Sequence, residues 1–284
     1  SDVCSSDRDA LSINADARLL GATLRRGDVI EYTLPPGRAA YLVSTTGRAD
    51  VNGVQFDARQ LIWLGIPAAR TGSCVMSKAS GIADMQAWKA TRQPVPLAAA
   101  GVATESYNTG RILKDVLELP IHLVPAYSGS QPISLAIENG EVSGVCLQWE
   151  AISASWKHAL ENREIFPVLQ FRRTPHPELP NVPMAVSFAK NDDDRELLTA
   201  GVEHSNAITT SYALPPGTPG DKAAILRKAF LATINDPAAR AEAALMSLDM
   251  DAIDGEATQK IIGELFTLKP GVKARLQDIL YGNN

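Results

Sequence analysis

The chain has 284 residues, of which 45% are hydrophobic and 21% charged, and 27 Lys+Arg against 32 Asp+Glu give a net charge of −5. That is the balance of a globular chain rather than a disordered one. The absence of any Lys/Arg block argues against nucleic-acid binding, and no apolar run approaches the roughly 20 residues that span a bilayer.

Residues 1–10, SDVCSSDRDA, read as a polar tail and show no basic n-region followed by an apolar h-region, hence no signal peptide. Residues 11–56 are all-β. Short apolar runs at Ala17–Leu24, Val29–Leu34 and Ala40–Ser44 alternate with turn signals at Arg26-Gly27-Asp28, Pro35-Pro36-Gly37, Thr46-Gly47 and Asn52-Gly53. Asn-Gly is a strong hairpin signal because a type I′ turn needs positive φ at both central residues. The three cysteines, Cys4, Cys74 and Cys146, are odd in number and widely spaced. No disulfide framework is visible, and Cys74 and Cys146 are expected to be small apolar residues on buried strands.

From Pro94 the pattern becomes strand–helix alternation. VPLAAAG (95–101) reads as a strand, and TESYNTGRILKDVLEL as a helix with Ile112, Leu113, Val116 and Leu117 on one face. IHLVPAY (121–127) follows as a strand, then a helix capped by Ser130 with Pro132 in its first turn. EVSGVCLQW (141–149) returns as a third strand. A βαβαβ order calls for a parallel sheet, which binds ligands beyond its carboxyl edge, near helix N-termini. The loops there are Gly101–Ser106, with Thr104, and Tyr127–Ser130, with Ser128 and Gly129. Neither holds Lys or Arg, so anion recognition would rest on N–H and O–H donors, and ordinary βα turns have the same composition.

WEAISASWKHALEN reads as helical, IFPVLQF (165–171) as an apolar run and RRTPHPELPNVP (172–183) as an exposed loop with His176 solvated. A helix is expected near Asp192–Glu203, a strand within 208–217, a helix capped by Thr218 running to about Ile234, and tail helices at 237–247, 255–267 and 270–281.

DARLLGATLRRGDVIEYTLPPGRAAYLVSTTGRADVNG (16–53) resembles part of the C-terminal cupin-like half of pirin-type proteins. It covers about a third of what a barrel needs to close, and it lacks the His ligands of cupin metal sites, so no activity is assigned to it. SDVCSSDR resembles a translated sequencing-adapter remnant, an alternative to the polar tail. Residues 53–284 resemble the solute-binding receptors of tripartite tricarboxylate transporters. The matching pieces run in order: GVQFDARQLIWLGIP (53–67), SGIADMQAW (80–88), AYSGSQPISLAIENGEVSGVC (126–146), HPELPNVPMAVSFAK (176–190) and ALPPGTPGDKAAILRKAFLATINDPA (213–238).

That resemblance implies an α/β Venus-flytrap fold of the type II periplasmic binding proteins, with 94–207 as one lobe and 57–93 with 208–284 as the other. The second of these is expected to be incomplete, because the pirin-like segment stands where the family has a first strand and a glycine-rich loop. It also implies a periplasmic protein that catches a small carboxylate and presents it to membrane permease subunits, without enzymatic activity, cofactor or metal. Gly101, Thr104, Ser106, Tyr127, Ser128, Gly129, Ser130, Trp149 and Glu150 would line the cleft. Trp149 would close over the solute, and Glu150 would accept a solute hydroxyl or ammonium. A first-turn acid stabilising its own helix explains Glu150 equally well.

Enzymatic readings find little support. His122, His158, His176 and His204 have no metal-binding spacing. GTPGDK (217–222) lacks phosphate-loop spacing, and YSGSQ is not a nucleophile elbow. The alternatives to a receptor are a cupin-type metal-dependent dioxygenase fragment and a nonfunctional fused reading frame.

Overall fold

The computed structural model describes residues 49–51, 54–245 and 250–282, with side chains from Asp57 onward. They belong to one compact unit, Val43–Asn284. The polar tail and the strands expected at Ala17–Leu24, Val29–Leu34 and Ala40–Ser44 lie outside them.

Strands β1 (Ala49–Val51) and β2 (Val54–Phe56) pair antiparallel, with Val51 opposite Val54 and Ala49 opposite Phe56. Then come β3 (Ile62–Ile66), β4 (Gly72–Ser77), α1 (Met85–Ala90), β5 (Val95–Ala98), α2 (Glu105–Val116) and β6 (Ile121–Val124). These are followed by α3 (Ser130–Glu138), β7 (Gly144–Gln148), α4 (Trp149–Ser155), α5 (Lys157–Glu161) and β8 (Ile165–Phe171). The C-terminal third contains α6 (Asp192–Leu198), α7 (Ser205–Ala207), β9 (Tyr212–Leu214), α8 (Gly220–Asn235) and α9 (Pro237–Leu245). It ends with β10 (Ile253–Asp254), α10 (Gly255–Phe266) and α11 (Pro270–Tyr281).

The larger sheet has five strands in the order β6-β5-β7-β4-β8. β5 runs parallel to β6 and β7, as the βαβαβ pattern requires, while β4 is antiparallel to both β7 and β8. Alternation along each strand feeds a core on each face. Cys74, Met76, Leu97 and Cys146 face a cluster that includes Ile112, Leu113, Leu197 and Val272. Val75, Ala98 and Val145 face one built from Ile133, Trp149, Ile152 and Trp156.

The smaller sheet, β10-β3-β9, has three antiparallel strands. Gly65 forms a bulge in β3 at φ 143°, where a Cβ would stand 2.4 Å from the Phe230 ring and 2.7 Å from the Ile253 carbonyl. Its separate core includes Leu61, Trp63 and Ile262. On α8 the residues Ala223, Arg227, Phe230 and Ile234 turn inward, and Ile225 and Leu226 remain exposed at 66% and 42%.

The grouping expected from the sequence differs from this pairing. β4 and α1, grouped there with 208–284, belong to the five-stranded sheet and its core. So does α11, whose Val272 and Ile279 pack beside α2 and α6. Two helix starts also shift by one residue: Gly129, at φ 109°, caps α3 in place of Ser130, and Pro219 precedes α8 in place of Thr218. The Thr218 hydroxyl instead donates to the Pro215 carbonyl at 2.9 Å.

Candidate carboxylate site at the edge of the five-stranded sheet

Because β5, β6 and β7 are parallel and β4 is antiparallel to β7, one edge of the sheet gathers five chain segments. They are the loops 99–104 and 125–129, the β7–α4 junction, the approach to β4 at Arg70-Thr71, and Arg172 beyond β8. Three helices begin there, and none of their N-caps, Thr104, Gly129 or Gln148, makes a side-chain capping hydrogen bond. Away from this edge Asp84, Asn191 and Asp254 cap α1, α6 and α10, while Trp156, Pro219 and Lys269 leave α5, α8 and α11 without a side-chain cap. The first N–H of α4, on Trp149, is bound by the Thr71 carbonyl at 2.6 Å, whereas the first-turn N–H groups of α2 and α3 have no side-chain acceptor among the described residues, the condition that suits an anion.

The hydroxyls expected to face a solute are engaged inside their own loop. Thr104 Oγ1 donates to the Gly101 carbonyl at 2.7 Å, and Ser106 Oγ accepts from the Ala100 N–H at 3.1 Å while lying 3.2 Å from Thr104 Oγ1. They hold Gly101, at φ 150°, in a conformation that L-residues with side chains rarely adopt. In the second loop the Tyr127 N–H donates to Ala99, joining the two loops, and Ser128 and Gly129 are exposed. Burial and the neighbouring Glu141 push the Tyr127 hydroxyl above its ordinary pKa.

Trp149 does not stand over the edge as a closing side chain. It is 6% exposed, its Nε1 donates to Glu178 Oε2 at 2.6 Å, and its ring meets His176 edge-on at 6.5 Å. His176 is itself only 4% exposed rather than solvated, because its N–H donates to the buried Gln170 side chain, whose amide also binds the Leu179 and Val182 carbonyls. This network folds the proline-rich loop back onto the sheet. Glu150 Oε1 accepts from the Thr71 N–H at 2.9 Å, and its Oε2 is buried without a hydrogen-bond partner among the described residues.

Cations, which the loop sequences do not contain, arrive from other segments. Gln148 Nε2 donates to Glu105 Oε2 at 2.6 Å, and Arg70 Nη1 donates to Gln148 Oε1 at 3.2 Å, so one amide bridges a carboxylate and a guanidinium. Burial pushes the Glu105 carboxyl up, the Gln148 bond and Arg70 pull it back, and Glu150 adds to the rise. Arg172 donates to Thr71 Oγ1 and pairs with Asp251, which precedes β10. Ala69 N–H binds the Asp251 carbonyl, and Thr210 Oγ1 binds that of Ala68. The segments that pass between the sheets are thus tied together beside the candidate site. The one signal for these cations in the sequence is an arginine next to each strand run.

A second polar cluster lies where α6 continues as a π-helical turn, Thr199–His204, a distortion often found at functional or moving segments. Glu203 Oε1, His204 Nδ1 and Asn206 Oδ1 are buried there without hydrogen-bond partners among the described residues. His204 Nε2 lies 3.4 Å from Glu264 of α10. Among the described residues no group of three or more His, Cys, Asp or Glu side chains is arranged to hold a metal ion, and no helix is long and apolar enough to cross a membrane.

A five-stranded mixed sheet and a three-stranded antiparallel sheet, with three helix N-termini gathered at one edge of the larger, define an α/β fold. The solved structures agree on that fold. A TctC solute-binding protein from Polaromonas superposes with a TM-score of 0.60 at 11% identity, covering 79% of this chain and 73% of that one. An R. palustris protein solved with adipate superposes with a TM-score of 0.50 at 15% identity, covering 78% and 68%. The N-terminal segment has a different likeness. Residues 3–62 match the family described as the quercetinase C-terminal cupin domain. A pirin-like protein of Caulobacter vibrioides is 51% identical over 55 residues, 19% of this chain and 24% of its own. The chain thus spans about a quarter of that relative's length. The cupin match ends at Ile62, the first residue of β3, beyond the Gly53 at which the sequence suggests a seam.

Proposed function

We propose that this protein is an extracytoplasmic solute-binding receptor of the tripartite tricarboxylate type, without catalytic activity, and that it holds a small carboxylate at the edge of the five-stranded sheet. The observation that carries this reading is the convergence of three helix starts without side-chain caps on one edge, beside the segments that cross to the second sheet. A carboxylate would take the first-turn N–H groups of α2 and α3, at the loops Gly101–Ser106 and Tyr127–Ser130. Closure of the smaller sheet over the solute would create the surface read by membrane permease subunits. The Cys74–Cys146 disulfide supports a periplasmic location, since such bonds persist in oxidising compartments.

Thermal unfolding of the full chain against mono-, di- and tricarboxylates tests the reading. At 100 times Kd a ligand adds about 2.7 kcal/mol, which moves the midpoint of a protein this size by several degrees. A cooperative melt that no acid shifts at millimolar concentration would remove the receptor reading. The cupin match supports a second one, a metal-dependent dioxygenase fragment. The first histidine of the chain is His122, outside the matched residues, so bound iron or copper at stoichiometric amounts in the purified protein would be needed to sustain it. Absence of any cooperative transition would favour a nonfunctional fusion.

A further inference from the structure

We propose that Arg70 is the specificity-determining residue of the sheet-edge site: its guanidinium anchors a second carboxylate and so selects short diacids over monoacids. The inference rests on the receptor reading above.

The first carboxylate is assigned to backbone N–H groups, because the loops 99–104 and 125–129 contain no cation. Arg70 supplies one from a different part of the chain. It is partly buried on the segment entering β4, beside the carboxyl end of β7, and one hydrogen bond, to Gln148 Oε1, holds it there. Gln148 is in turn fixed by Glu105, so the amide has one orientation that serves both neighbours. A guanidinium has five N–H donors, and a single bond at Nη1 leaves a bidentate face for a carboxylate. Arg172, the other cation at the edge, is already engaged by Thr71 and Asp251.

Strand order sets an upper bound on the span: β4 is separated from β5 by β7, so the backbones at Arg70 and the α2 start lie about two strand spacings apart, roughly 10 Å, and the arginine side chain reaches Gln148 between them. A hydrogen bond of about 3 Å at each end leaves at most about 4 Å between the two carboxylates, which suits a four-carbon diacid or a bent five-carbon one.

The experiment is titration calorimetry of the full chain at pH 8 with succinate against butyrate and glutarate against pentanoate, for the wild type, Arg70→Gln and Arg70→Lys. In the wild type each diacid is expected to bind at least about tenfold more tightly than its monoacid. Arg70→Gln brings that ratio close to one, and Arg70→Lys keeps part of it as a point charge. The ratio is internal to each variant, so a general loss of folded protein does not imitate the result. A wild type that binds acids without preferring diacids, or an Arg70→Gln variant that keeps the wild-type ratio, overturns the role of Arg70 and leaves the receptor reading standing. Failure of every acid to bind the wild type overturns both.

Discussion

A Cys74→Ala, Cys146→Ala double variant is expected to be less stable than the oxidised wild type by about 4 kcal/mol. The two cysteines face each other in the antiparallel register of β4 and β7, at the middle of the five-stranded sheet, and their sulfurs are bonded across a sequence separation of 72. Closing a loop of that length removes enough unfolded-state entropy to give the figure above. At 0% and 4% exposure both side chains also fill core volume, so truncation adds a packing loss to the entropic one. For a chain of this size the midpoint should fall by roughly 8–16 °C. Urea unfolding with and without reductant is the measurement. Reductant should bring the wild type close to the variant only once the chain has been unfolded, because the folded sheet shields the bond. A double variant within about 1 kcal/mol of the oxidised wild type would mean that the bond does not form in the purified protein, and it would remove one support for a periplasmic location.

That bond was not legible in the sequence, for a physical reason. Cys74 and Cys146 were readable as buried strand residues from the apolar runs around them. Their facing positions depend on β4 lying between β7 and β8, a long-range antiparallel insertion that leaves no local periodicity. The βαβαβ unit from Val95 to Gln148 was legible because each helix and strand there carries its own pattern and the connections are short. The shift of α3's cap from Ser130 to Gly129 shows the limit of such patterns. Serine is the better-known cap, but the sharp turn after β6 needs a positive φ that glycine adopts at no steric cost.

The candidate site divides in the same way. Its backbone part, the loops around Gly101 and Gly129, follows from strand order and was visible in the residues. Its charged part was not. Arg70, Glu105 and Gln148 are distant in sequence and meet only because β7 ends beside the start of β4. Trp149 was misread from its position at a strand end. An indole there finds both a carboxylate, Glu178, and a buried ring, His176, on a loop that the long-range Gln170 network ties to the sheet. The loop is exposed over most of its length, as its proline-rich composition suggests, and the departures are the buried His176 and Leu179.

Glu203→Gln is expected to stabilise the protein by roughly 3 kcal/mol above pH 8 and to have little effect near pH 4. Glu203 is 6% exposed on the π-helical turn, with Oε1 lacking a hydrogen-bond partner among the described residues. Burial pushes its carboxyl from 4.5 up to about 7, against the pull of Arg173. Between those values the folded protein keeps a proton that the unfolded chain has released. Stability from this group is therefore complete below about 4.5 and is lost as pH rises through about 7. His204 next to it works in the opposite sense. Burial lowers its pKa despite Glu264, so its contribution is present at higher pH and lost as pH falls below the ordinary histidine range. The two slopes partly cancel in the wild type around pH 5–7, and removing only the carboxylate should leave a variant that loses stability on the acid side alone. Urea unfolding of both proteins at pH 4, 5.5, 7 and 8.5 gives the difference curve. A rise from near zero to a plateau above pH 7 supports a buried carboxylate forced to ionise in the segment that joins the two sheets. A constant offset at every pH would mean that Glu203 is already screened in the folded protein and that its cost is one of packing.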